Sequence, residues 1–167
     1  MARVQIFKHM MPLDIPVFAT YLLSPEGQSY TSWEFDVICG LPADPGPYYP
    51  LQARYQAIYL NALKIDAIGW FHNSPTLIEC KPDARLGAIG QVTSYAMWYE
   101  RMFGLRPRMM IVAESMREQV QIAARHQGVE VRIVKNADPL EIAEAIAYVV
   151  PLIQPSPFLP NPLELPR

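Results

Sequence analysis

Residues 63–81 read LKIDAIGWFHNSPTLIECK, and this stretch decides the fold. From Leu63 to Trp70 the two-residue period places Lys64, Asp66, Ile68 and Trp70 on one face of a strand. His72-Asn73-Ser74-Pro75 has the composition of a hairpin turn. Thr76 to Lys81 returns as a second strand, with Leu77, Glu79 and Lys81 on one face. Asp66, near the middle of one strand, is thereby expected to face Glu79 and Lys81 on its neighbour. Polar groups inside apolar strands cost free energy unless they are paired or used. Two carboxylates beside an ammonium suit a divalent cation: the carboxylates bind a hard metal, and the ammonium orients or deprotonates an attacking water.

Downstream, Ala84 to Phe103 reads as a helix on which Gln91 and Tyr95, four residues apart, share a face. Arg108 to Ala113 is a short apolar strand, Glu114 to Gln127 a helix stopped by Gly128, and Val129 to Val134 another strand. Asn136-Ala137-Asp138-Pro139 is a cap followed by a first-turn proline, opening a helix to about Val150. Alternating strands and helices predict an α/β fold, a central mixed β-sheet flanked by helices.

Upstream, Ile15 to Leu23 and Tyr30 to Cys39 have strand-like composition and are joined by a turn at Ser24-Pro25-Glu26-Gly27. The domain is expected over residues 1–150, with about the first 50 as a β-rich extension. Pro42, Pro45, Pro47 and Pro50 make residues 40–50 a stiff surface loop, and Leu51 to Asn61 suits either a helix or an extension of the Asp66 strand. Residues 151–167 hold six prolines with apolar residues between them. This segment reads as a polyproline-II tail or as an arm that packs on its own domain or on a partner.

Asp, a hairpin and then Glu79-Cys80-Lys81 resembles the active-site signature of the PD-(D/E)XK nuclease superfamily. Gln91-X-X-X-Tyr95 directly after it resembles the additional motif of that superfamily's RecB-like branch. The resemblance covers roughly residues 60–135. It implies a restriction-endonuclease-like core and metal-dependent hydrolysis of DNA phosphodiesters. Asp66 and Glu79 would bind Mg²⁺ or Mn²⁺, with the Cys80 backbone carbonyl as a further ligand. Lys81 would position or activate water, and Gln91 and Tyr95 would orient the site or contact the nucleic-acid backbone. Many members carry another acid on an early helix; here the early acids are Glu34 and Asp36, in a strand-like segment, and Glu34 is the candidate. Relatives built on an iron–sulfur cluster need cysteines that this chain, with Cys39 and Cys80 alone, does not have.

Lys64, Arg85 and Arg101 are the candidate nucleic-acid contacts, although arginines near a helix C-terminus also complement its dipole. Glu79 and Lys81 also admit a plain reading as a same-face ion pair, and Tyr95 as a core residue. The formal net charge of −2 gives no global attraction to a polyanion, so DNA binding would rest on a local patch and bound metal. Two cysteines are expected as free thiols in a reducing, cytoplasmic setting, with no signal peptide and no membrane-length apolar run. The competing function is a nuclease-fold binding or assembly module, as in a phage or mobile-element complex. Its homo-oligomer or partner contacts would run through residues 151–167.

Overall fold

In the computed structural model, the residues described are 6–7, 10–41 and 44–154. Five strands form one sheet in the order β1 (Ser32–Cys39), β2 (Leu63–Phe71), β3 (Ser74–Ala84), β4 (Arg108–Met116), β5 (Val129–Ile133). The first three pair antiparallel, and β4 and β5 continue parallel to β3. The parallel half requires crossovers, supplied by α3 (Leu86–Phe103) and α4 (Glu118–His126). The expected α/β fold with a mixed sheet flanked by helices is the observed one.

The sheet buries apolar side chains on both faces. On one, α1 (Asp14–Leu23) and α5 (Pro139–Val149) cover Ala67, Ile78, Cys80, Met110 and Val112 together with the rings of Phe18, Trp33 and Phe35. On the other, α3 and α4 cover Ile65, Ile68, Leu77 and Ile111. Gly69 is required by close approach: a Cβ there would lie 2.8 Å from the ring of Tyr30. The Asp138 cap is fully formed, its carboxylate accepting from the N–H groups of Leu140 and Glu141 while Glu141 accepts from Asp138 N–H.

Three expectations need correction. Ile15 to Leu23 is helix α1, not a strand, and β1 belongs to the central sheet, so the described part of the first 50 residues is no β-rich extension. Glu114 to Met116 extends β4, and α4 begins later, at Glu118. The strict alternation assumed for β2 also fails. Ile65 and Ile68 pack in the same core, and so do Val37 and Cys39, while Phe35 lies in the other. The faces switch at Asp36, which takes φ +55° at the position opposite Asp66, between the pairs Phe35↔Ala67 and Val37↔Ile65. Aspartate tolerates this left-handed conformation better than the β-branched residues around it.

The segment Leu51–Asn61 is helix α2, and none of its residues is buried. The first described residues of the proline-rich arm lie on the open edge of β1: Gln154 N–H donates to Trp33 O at 2.7 Å, and Ile153 bridges Trp33 in parallel. Covering an edge strand removes a template for unwanted pairing. Residues 155–167 lie outside those described. Among the described residues no helix is long and apolar enough to cross a membrane.

Candidate active site

The β2–β3 ladder runs from Phe71↔Ser74 to Ala67↔Ile78 and stops there. The next position in that register is Asp66 opposite Glu79. The two strands part at the point where their acidic residues stand. Asp66 Oδ2 lies 3.4 Å from Cys80 N–H, accepting where a strand carbonyl no longer does. Glu79 is fully buried. Lys81 Nζ pairs with Glu79 Oε1 at 2.7 Å, and the other buried oxygen of Glu79, Oε2, has no hydrogen-bond partner. The ion pair therefore leaves one carboxylate oxygen with unused acceptor capacity. Such orphan acceptors are costly and call for a ligand or a role.

Lys81 also lies 3.9 Å from Asp14 Oδ2. Asp14 is 3% exposed in the first turn of α1, where the helix N-terminus favours a negative side chain. It is an acid on an early helix that stands beside Lys81, and the sequence reading missed it by taking this segment for a strand. Pro16, within the first turn, was the available signal. Among the described residues no three His, Cys, Asp or Glu side chains stand as a ready-made metal cluster. Lys81 lies within reach of two of the acids instead.

The electrostatics follow from this crowding. Burial, reinforced by the Glu79 charge, raises the Asp66 pKa against the opposing pull of Lys81. Burial likewise raises that of Glu79, with Lys81 opposing. For Lys81 burial works against the charge, but Glu79, Asp66 and Asp14 outweigh it, and its pKa stands above the ordinary value. Lys81 is thus an ammonium at neutral pH. Cys80 is buried in the core with its thiol pushed far up by desolvation, so its side chain takes no ionic part.

On α3, Gln91 Nε2 donates to Tyr95 Oη at 3.1 Å, the one-turn contact expected from their spacing. Tyr95 is mostly buried, and its pKa is raised first by desolvation and then by Glu79 and Asp66, which places its hydroxyl within their field. The structure therefore brings Asp66, Glu79 and Lys81 together, with Asp14 added, while Gln91 and Tyr95 pair with each other on α3.

Glu34 stands elsewhere: it pairs with Ile68 in register and its Oε2 accepts from Trp70 Nε1 at 2.8 Å. The candidate nucleic-acid contacts already have partners. Lys64 lies over the Tyr59 ring at 4.6 Å, Arg101 over Trp98 at 5.4 Å, and Arg85 pairs with Asp83 at 2.9 Å.

Fold and site define an α/β domain whose mixed sheet opens at a buried carboxylate–lysine cluster. No family model matches the sequence, and no curated protein matches it. Among solved structures it is similar to the crystal structure of a repair endonuclease from Pyrococcus abyssi, with 24% identity and a TM-score of 0.40. That match covers 44% of this chain and 33% of the other, so it spans about a third of that protein.

Proposed function

We propose that this chain is a metal-dependent nuclease of the PD-(D/E)XK type that hydrolyses DNA phosphodiesters. The observation that carries the reading is Glu79: a fully buried carboxylate at the parting of two strands, beside Asp66 and paired with Lys81 through one oxygen while the other has no partner. An all-oxygen donor set fits a hard dication such as Mg²⁺ or Mn²⁺. Asp66 and Glu79 would hold it, with Asp14 or the Cys80 carbonyl completing the set. When bound, the cation supplies Lewis-acid polarisation of the phosphoryl group and a more acidic water.

The protein residues divide the remaining work. Lys81 would turn its N–H groups to the attacking water or a phosphoryl oxygen and offset charge developing in the transition state. Tyr95, held by Gln91, presents a hydroxyl to the substrate backbone. The core below Cys80 keeps these groups in a low-dielectric setting where each interaction is stronger.

The test is incubation with supercoiled and linear DNA in Mg²⁺ or Mn²⁺, against EDTA. Metal-dependent relaxation of circles would mark an endonuclease and shortening of ends an exonuclease; intact DNA of both forms would overturn the reading. A second reading, an assembly module that keeps the fold without catalysis, is favoured by one observation. The excursion between β1 and β2 leaves Leu41 82%, Tyr48 97% and Leu60 74% exposed. Sedimentation of the full chain, as wild type and with Leu41, Tyr48 and Leu60 changed to serine, distinguishes it: self-association lost in the variant supports assembly, and a wild-type monomer or unchanged self-association in the variant opposes it.

A further inference from the structure

Beside the carboxylate–lysine cluster, between β1, β2 and α3, lies a second feature that the proposed hydrolysis does not use. Glu34, Val37, Trp70, Tyr99, Phe103 and Leu105 line a cavity of about 210 Å³. Three of the six are aromatic. Tyr99 and Phe103 lie with ring centroids 4.5 Å apart and planes at 38°, forming one side of it. The single acid is fixed in place: Trp70 Nε1 donates to Glu34 Oε2, which leaves Oε1 as an acceptor. A flat apolar chamber with one anchored carboxylate selects a planar ring that carries an N–H donor.

Its placement relates it to the site. Tyr99 follows Tyr95 by four residues of α3, about 6 Å along the axis. Glu34 pairs with Ile68, two residues and about 6.7 Å along β2 from Asp66. Both paths lead away from the cluster in the same direction, over a span comparable with one nucleotide of an extended, unstacked strand.

We infer that this cavity receives an unstacked base of the substrate strand, one that carries an exocyclic amine, about one nucleotide from the phosphate held at Asp66 and Glu79. The inference rests on the nuclease reading for the position of that phosphate. The chemistry of recognition is stacking on the aromatic side chains plus acceptance by Glu34 of an amino hydrogen, the pairing a carboxylate makes with cytosine N4. Thymine, which has no exocyclic amine, is disfavoured. The protein would thereby act on strands with unpaired or readily unstacked bases ahead of fully stacked duplex.

The experiment uses the full chain and fluorescein-labelled single-stranded 12-mers, in EDTA for binding by anisotropy and in Mg²⁺ for cleavage. In a thymine background, one position at a time is changed to cytosine or to an abasic residue. The expected result is one or two adjacent positions at which cytosine tightens binding and an abasic residue weakens it, each on the order of tenfold. Leu105→Trp, which fills the chamber from its partly exposed rim, should abolish both effects, and Glu34→Gln should remove the preference for cytosine over thymine. Position-specific base dependence without cleavage supports the cavity and defeats the nuclease reading. Cleavage with every abasic position tolerated equally overturns the cavity and leaves the nuclease standing. A preference unchanged in Leu105→Trp also overturns it.

Discussion

Glu79 and Lys81 carry opposite consequences for stability, because one is wholly buried and the other is not. Glu79→Gln removes a buried charge and keeps the shape. It is expected to leave metal-free stability unchanged or raise it by about 1 kcal/mol, roughly 2–4 °C in Tm, while cleavage is lost. Lys81→Ala does the reverse at pH 8, leaving a buried carboxylate without its counter-charge, a loss of about 3 kcal/mol read as a lower Tm. The same variant should bind Mn²⁺ more tightly than wild type in calorimetry, because an ammonium no longer competes for Glu79. Weaker Mn²⁺ binding in Lys81→Ala would contradict the geometry.

The pH dependence has a definite sign. Burial raises the folded-state pKa values of Asp66 and Glu79 above their unfolded values near 4. Their contribution to stability is therefore full below about pH 4 and is lost as pH rises through the raised folded values. In EDTA, thermal melts should show a decline across this window that Asp66→Asn with Glu79→Gln flattens. Added Mg²⁺ should restore more stability at pH 8 than at pH 5, since the ionised acids are what it binds. At this scale the sequence showed Asp66, Glu79 and Lys81, because polar residues in apolar strands stand out. Asp14 stayed hidden because its partner, Lys81, is distant in sequence and only the fold brings them together.

Among the elements, legibility followed periodicity. The helix bearing Gln91 and Tyr95, the parallel strands and the Asp138 cap were all readable, since each carries a local signal. Asp138→Ala, which removes both side-chain acceptances at the α5 terminus, should cost about 1 kcal/mol in urea unfolding with an unchanged slope. Helix α1 was misread because Val17, Phe18, Ala19, Tyr21 and Leu22 are all buried, so no polar face marks a helical period. The face switch at Asp36 was equally invisible. A single left-handed residue inverts the alternation without leaving a compositional trace. Asp36→Gly should fold, whereas Asp36→Val should not, because a β-branched side chain opposes φ +55°.

For the whole molecule, the charge balance sets how nucleic acid is bound. Arg108 pairs with Glu130 at 2.7 Å and Arg132 with Glu26 at 2.6 Å, so these cations are already compensated. With a net charge of −2 as well, duplex DNA in EDTA should bind weakly and with a shallow dependence on salt. Divalent metal should strengthen it, the bound cation supplying the positive charge that the surface does not. Anisotropy titrations across salt concentrations check this, and a steep slope in EDTA would contradict it.

The central claim is that Asp66, Glu79 and Lys81 form a metal-dependent hydrolytic site. Its most direct measurement is the initial rate of DNA cleavage in Mn²⁺ by wild type, Lys81→Ala and Asp66→Asn, each first shown to be folded by circular dichroism. Wild type is expected to cleave, to cut nothing in EDTA, and to exceed both variants by at least about 100-fold. Folded wild type that cuts nothing, or Lys81→Ala that cuts at the wild-type rate, would contradict it.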